Sequence, residues 1–310
     1  TGKDSTSGHW ELGGLKVDFD FPTYPNGFGK EIIDAFIEKT GVKGVLGNKT
    51  ASGTSIIEEL GDEHVKKGFP IIYTSADSVF QIAAHEEVIP IEKQYEICKI
   101  AREEILIGKD TVGRIIARPF VGKTGSYSRT TNRKDFSIDP TGDTILDVLS
   151  NDGIRTIGIG KVNDLFNYRG IQVIEKTKSN AEGIKKIIDY SKKEKGSFIF
   201  ANLVDFDVYY GHRLDPEGFA KCLEEFDNEL PKILETLDES DALILTADHG
   251  NDPTVTSTDH TREYVPLLFY RKNKEAKNLG IRETFSDVAQ TAAHYFEVNN
   301  GLKGRSFLNE

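Results

Sequence analysis

In the second half of the chain, acidic and imidazole side chains fall directly after apolar runs. NLVDFDVYYGH places Asp207 just past one such run, with His212 five residues on, and LILTADHGND places Asp248 and His249 at the end of another. His260 follows in STDHTREYVPL. Carboxylate oxygen and imidazole nitrogen together suit manganese or zinc better than calcium. Three such donors make one metal site and five begin to describe two. A pair of ions roughly 3.5–4 Å apart clamps a phosphoryl group and activates an oxygen nucleophile. A lone Asp-His pair in a loop is more often a hydrogen-bonded surface pair than a ligand set. Two such Asp and His sets, each after its own apolar strand and with a further His nearby, favour ligands.

A metal pair of this kind needs an oxygen to act on. The chain opens on TGKDSTSGHWELGG, where Ser5, Thr6 and Ser7 stand side by side. From these letters alone each hydroxyl is a loop group, a helix cap or a nucleophile. The other histidines have no metal-like spacing. His9 beside the hydroxyl run is either a supporting group or a packing partner of Trp10, His64 in a charged helix is expected to be solvated, and His85 and His294 carry no signal.

The elements that must position these residues alternate strand and helix, as in a mostly parallel sheet. IRTIGIG, SFIFANLV, ALILTAD and VPLLFY read as buried strands. NAEGIKKIIDYSKK and PEGFAKCLEEFDNELPKILETL read as amphipathic helices, the second kinked or split at Pro231. FSDVAQTAAHYFEV reads as a final helix. Ligands in open α/β sheets bind beyond the carboxyl ends of strands, which is where the Asp and His residues fall. The first half differs in texture. GKEIIDAFIEKTG, GTSIIEELGDEHVKKG and IEKQYEICKIAREEIL read as helices, FPIIYTSAD and VGRIIARPFVG as strands, and GKTGSYSRTTNRKDFSIDPTGD as a long loop. Arg114, Ile116 and Arg118 alternate on one strand, so both guanidiniums face one side; on the bare pattern they are a pair of exposed strand charges sooner than a phosphate site.

The 310 residues carry a net charge of −11. That argues against nucleic acid, whose binding needs a basic face. No apolar stretch approaches the roughly 20 residues of a membrane helix. Cys98 and Cys222 lie far apart and read as buried free thiols. With no signal peptide in view, the expected location is the cytoplasm.

From TADHGNDP to TDHTREYVPLL the chain resembles the alkaline-phosphatase superfamily of metal-dependent phosphoryl-transfer enzymes. Longer motifs narrow the resemblance to the phosphopentomutases. GKDSTSGHWE, YPNGF, GNKTASGT, YTSADSVFQIAAHEEVIP, GRIIARPFVG, GIGKVNDLF, TKSN and NLVDFDVYYGHRLDPEGFA follow that family in order over nearly the whole chain. The resemblance implies an α/β, alkaline-phosphatase-like core with a mostly parallel sheet flanked by helices, plus an inserted smaller α+β cap domain. Residues 1–24 would be the core segment with the nucleophile, 25–138 the cap, and 139–310 the metal-binding core.

It further implies an isomerase acting on α-D-ribose 1-phosphate, or its 2-deoxy form, and the 5-phosphate. The route runs through a phosphoenzyme and a sugar bisphosphate, which also serves as activator, with two Mn2+ ions as cofactors. Asp207, His212 and His260 would hold one ion, and Asp248 and His249 would help hold the other. The family takes a further Asp from its first core strand. The chain begins at Thr1 and has no methionine. The expectation is therefore a missing N-terminal segment, an incomplete core edge and a weakened metal site. The family carries Thr where Ser5 stands, and serine supplies the same hydroxyl. Asp77, Arg114, Arg118 and Lys161 are the candidate substrate-binding residues. The alternatives are a phosphatase or phosphoglycerate-mutase-like enzyme of the same superfamily, or a non-catalytic metal- or sugar-phosphate-binding protein.

Overall fold

The opening hydroxyl run winds into a helix, α1 (Ser5–Leu12), capped by Asp4. In this computed structural model, which describes residues 2–17, 21–75 and 78–310, Asp4 is extended and its carboxylate accepts from the backbone N–H groups of Thr6 and Ser7. Of the roles left open for the adjacent hydroxyls, the cap falls to none of them; Ser7 Oγ instead donates to Asp4. Trp10 is fully buried and its indole N–H donates to the Leu165 carbonyl at 2.9 Å, which fastens α1 to the elements that follow.

The chain divides into two units, Phe21–Ile138 on one side and Thr1–Asp20 with Asp139–Glu310 on the other. The Phe21–Ile138 unit contains α2 (Lys30–Thr40), β1 (Leu46–Thr50), α3 (Gly53–Lys67), β2 (Ile71–Thr74), β3 (Val79–His85), α4 (Ile91–Ile100), β4 (Arg114–Val121), β5 (Ser128–Arg129) and β6 (Lys134–Ser137). They build a mixed sheet in the order β1-β2-β3-β4, with β5 and β6 both pairing with β4. The β1/β2 and β3/β4 pairs are parallel and the rest antiparallel. Alternate residues of these strands serve two cores. Ile72, Phe80, Ile82, Ile115 and Ala117 pack with α2 and α4, while Ile71, Tyr73, Ala83 and Phe120 pack with α3.

Three expectations for this unit change. The stretch expected as one long loop contains β5 and β6, which are too short to show periodicity but complete the hydrogen bonding of β4. The helix expected over 91–106 is α-helical to Ile100 and continues as a π-helical turn, Ala101–Ile105. His64 is fully buried rather than solvated: Nδ1 lies 2.7 Å from the Phe69 carbonyl, and Nε2 accepts from the His85 N–H at 2.9 Å. The charges around it in sequence occupy the outer face of α3, and His64 falls on the inner one.

The other unit continues from α1 with α5 (Ile145–Asn151), β7 (Thr156–Ile159), α6 (Val162–Leu165), β8 (Val173–Glu175), α7 (Asn180–Lys193), β9 (Phe198–Ala201), α8 (Pro216–Glu235), β10 (Ala242–Thr246), β11 (Leu267–Arg271) and α9 (Ser286–Tyr295). This is α/β architecture. β8-β7-β9 form a parallel sheet, and β10 and β11 an antiparallel pair. β7 is buried throughout, as expected. Every residue of β9 and β10 is half-buried and β11 alternates half-buried with exposed, against the expectation of four buried strands. The reason is that β9 and β10 line a cavity of about 1100 Å³ instead of pairing with each other.

Pro231 does not split α8. It lies in the penultimate turn and is exposed, so the carbonyl it leaves without an N–H partner faces water. No helix among the described residues is long and apolar enough to cross a membrane, and both cysteines are buried and unpaired.

Candidate active site

Asp207 and His212 are placed by a turn that the five-residue spacing encodes. After β9 the chain enters a π-helical turn, Phe206–Gly211, in which the His212 N–H donates to the Asp207 carbonyl at 3.0 Å. A π turn closes after five residues rather than four, so residues five apart come onto one side. His212 Nε2 lies 3.3 Å from Asp207 Oδ2. Its Nδ1, 2.7 Å from the Thr258 carbonyl, carries the proton, which leaves the Nε2 lone pair towards the carboxylate.

His260 reaches the same carboxylate from the loop after β10. A bridge between Gly250 and Thr261 closes that loop, and Lys3 holds its backbone, donating to the His260 carbonyl at 3.0 Å and pairing with Asp259. The His260 ring stacks on His249 with centroids 3.7 Å apart. Its Nε2 is buried, 3.2 Å from Asp207 Oδ1, yet has no hydrogen-bond partner.

Among the described residues, Asp207, His212 and His260 form the one group of three metal-capable side chains whose ligand atoms all lie within 4.8 Å of one another. Imidazole lone pairs and a carboxylate facing each other with an orphaned buried nitrogen repel unless a cation sits among them. The donor set therefore fits a divalent metal ion. Burial alone raises the Asp207 carboxyl; where His212 and His260 are protonated their charge outweighs it and holds the group well below the usual carboxylate range, and a bound cation would supply that charge in place of the two protons. Asn251, which the sequence reading did not single out, donates to Asp207 Oδ1 at 2.5 Å.

Asp248 and His249 follow β10 and face Ser5. His249 Nδ1 lies 3.1 Å from the Gly250 carbonyl and carries the proton, so Nε2 presents a lone pair 3.5 Å from Asp248 Oδ2 and 3.4 Å from Ser5 Oγ. Burial holds the His249 imidazole below its ordinary pKa against the pull of Asp248. Burial pushes the Asp248 carboxyl up, but His9 and then His249 bring it down to about 2. Lys161 Nζ stands 3.3 Å from Ser5 Oγ. It is delivered by Gly160, whose left-handed φ of 78° lets the chain after β7 pass where a Cβ would sit 2.6 Å from the Asn202 carbonyl. Gly8 does the same for α1, since a Cβ there would lie 2.0 Å from the Asp248 carbonyl oxygen.

Seven of the ten residues singled out from sequence thus lie in one unit: Ser5, Lys161, Asp207, His212, Asp248, His249 and His260. Arg114 and Arg118 lie in the other. Arg114 pairs with Asp135 at 3.6 Å and Arg118 donates to Gln81 at 3.1 Å; both partners flank Ile116, so the two guanidiniums share its face. Asp77 lies outside the described residues.

Residues 152–300, which carry all five Asp and His donors, match the family model described as the Metalloenzyme superfamily. The structure of Leishmania mexicana phosphoglycerate mutase at low cobalt concentration aligns with a TM-score of 0.45 and 16% identity, over 54% of this chain and 39% of that one. The family-model match and the donor set together point to a metalloenzyme. Its sequence relatives are more particular. Phosphopentomutase from Dictyoglomus thermophilum is 57% identical over 99% of this chain and 78% of its own length. Phosphopentomutase from Alkaliphilus oremlandii is 53% identical over 99% of this chain and 79% of its own. The chain belongs to the phosphopentomutase family.

Proposed function

We propose that this family member interconverts α-D-ribose 1-phosphate, or 2-deoxyribose 1-phosphate, and the corresponding 5-phosphate, with Ser5 as the phosphoryl carrier. The observation behind this choice is the environment of the Ser5 hydroxyl. Asp4 caps α1 in its place, so Ser5 Oγ is left to face His249 Nε2 and Lys161 Nζ. The Ser7 hydroxyl instead donates to Asp4.

In this reading Asp207, His212 and His260 hold one manganese ion, and Asp248 and His249 help hold a second. Bound metal supplies positive charge for the phosphoryl oxygens and for the developing alkoxide of Ser5. The Lys161 ammonium, 3.3 Å from the same oxygen, adds further charge, as befits phosphoryl transfer, whose catalysis is mostly electrostatic. The phosphoryl group passes from Ser5 Oγ to the free hydroxyl of the sugar phosphate, giving a bisphosphate. The sugar turns and returns its other phosphoryl group to Ser5 Oγ. Arg114 and Arg118 are the anion-binding groups of the Phe21–Ile138 unit, and Asp77 accepts from sugar hydroxyls.

The test is mass spectrometry of the manganese-loaded chain after incubation with ribose 1,5-bisphosphate. A single phosphoryl group on Ser5 is expected. No modification would leave a protein that binds metal or sugar phosphate without catalysis. Free phosphate without isomerised sugar would make the chain a phosphatase.

A further inference from the structure

His9 lies at the junction of three elements of the site. The ring is 2% exposed, stacked on Phe200 at 5.7 Å and edge-on to Phe166 at 6.5 Å. Nδ1 lies 2.9 Å from Asp248 Oδ2 and 2.8 Å from the Ser5 carbonyl oxygen. Both are acceptors, so Nδ1 carries the proton and its direction is set. Nε2 lies 3.2 Å from Asn202 Nδ2. One ring therefore touches α1, which carries Ser5, the end of β10, which carries Asp248, and the residue after β9.

We propose that His9 is a positioning residue for Asp248. It occupies Oδ2 with an N–H bond, fixes the rotation of the carboxylate, and keeps its remaining lone pairs beside His249 Nε2. Because the same N–H also meets the Ser5 carbonyl, the nucleophile's own helix turn is held in register with the carboxylate. The inference rests on Asp248 and His249 being metal ligands. Hydrogen-bond partners of ligating groups are typically worth about 10–100-fold in metal affinity. Gly8 brings α1 directly against the Asp248 backbone, where a Cβ would lie 2.0 Å from its carbonyl oxygen.

The experiment uses the whole chain, titrated with Mn2+ and followed by the electron paramagnetic resonance signal of the free ion. His9→Phe keeps a ring between Phe166 and Phe200 but removes the N–H. His9→Asn places an amide N–H near the position of Nδ1. Two bound ions are expected for the unsubstituted chain. His9→Phe should weaken one by about 10–100-fold and spare the other, His9→Asn should recover most of that loss, and excess manganese should restore turnover to His9→Phe. Unchanged binding in His9→Phe overturns the proposal, as does an equal loss in His9→Asn, which would mean that only packing matters. Asp248→Asn separates the two levels. If it loses the weaker ion and His9→Phe does not, the inference about His9 falls alone. If the unsubstituted chain binds one ion, or Asp248→Asn still binds two, the ligand reading of Asp248 falls and the inference with it.

Discussion

Gly8→Ala sets two physical effects against each other with opposite signs. Helix propensity alone favours alanine in α1 by about 0.8–1 kcal/mol. Packing opposes it. The new Cβ would stand 2.0 Å from the Asp248 carbonyl oxygen, and an ordinary contact begins near 3.4 Å, so α1 and the end of β10 must part by about 1.4 Å. The obstacle is backbone, which cannot swing aside as a side-chain tip can. Overpacking of this kind costs about 1–3 kcal/mol, enough to cancel or exceed the propensity gain. The larger effect is on chemistry. Ser5 lies one turn earlier on the same helix, with Oγ 3.4 Å from His249 Nε2 and 3.3 Å from Lys161 Nζ. A displacement on the order of 1 Å in a reacting group costs about 10²-fold in rate. Mutase turnover and thermal unfolding, measured side by side, test this. Gly183→Ala in α7 is the control, because its Cβ would meet only a Leu203 methyl at 2.7 Å, which can rotate away. Turnover of Gly8→Ala equal to the unsubstituted chain, with raised thermal stability, would refute the reasoning and leave propensity as the only effect.

The remaining predictions concern the hydroxyls, the metal group and the Phe21–Ile138 unit. Ser5→Ala should abolish both turnover and the phosphoryl adduct while leaving the circular dichroism spectrum intact, whereas Thr6→Ala should keep turnover; equal behaviour of the two would refute the choice of Ser5. His260→Ala should remove one manganese equivalent, read by equilibrium dialysis, because it deletes one of three donors around Asp207. Asp4→Ala should cost about 1 kcal/mol in denaturant unfolding by removing the cap of α1, with Asp4→Asn retaining most of it. Burial pushes the His64 pKa below its ordinary 6.5. As pH falls, the unfolded chain therefore takes up this proton first, so the stabilising contribution is full above about pH 6.5 and is lost below it. His64→Gln should flatten the fall in melting temperature between about pH 7 and 5, and an unchanged slope would show that His64 is not the group responsible.

The grouping of the candidate site's residues was legible in sequence because they sit where local pattern is strongest. Asp248 and His249 directly follow an apolar strand, and the five-residue step from Asp207 to His212 is spelled out, although only the structure explains it as one π turn. The parts that escaped are those without a local signature. Asn251 bonds to a carboxylate far away in the chain, so its neighbours say nothing about it, and of the two roles open to His9 only the structure shows the contact with Asp248. The cap of α1 is Asp4 rather than the adjacent hydroxyls, because the residue before the first turn, not those within it, has the extended backbone that aims a side chain back at N–H groups. In the Phe21–Ile138 unit, β3 went unread since VFQIAAH, buried on both sides, lacks a clean apolar–polar alternation, and β5 and β6 depend on β4 for their existence. His64 shows the same limit: a charged stretch of helix still has an inner face.

The most direct test of the account is a ³¹P NMR time course of the manganese-loaded chain with α-D-ribose 1-phosphate and a trace of the 1,5-bisphosphate. The account predicts that the 1-phosphate signal is replaced by that of ribose 5-phosphate, with no inorganic phosphate and no conversion in Ser5→Ala. Growth of the inorganic phosphate signal without ribose 5-phosphate, or conversion that survives in Ser5→Ala, would contradict it.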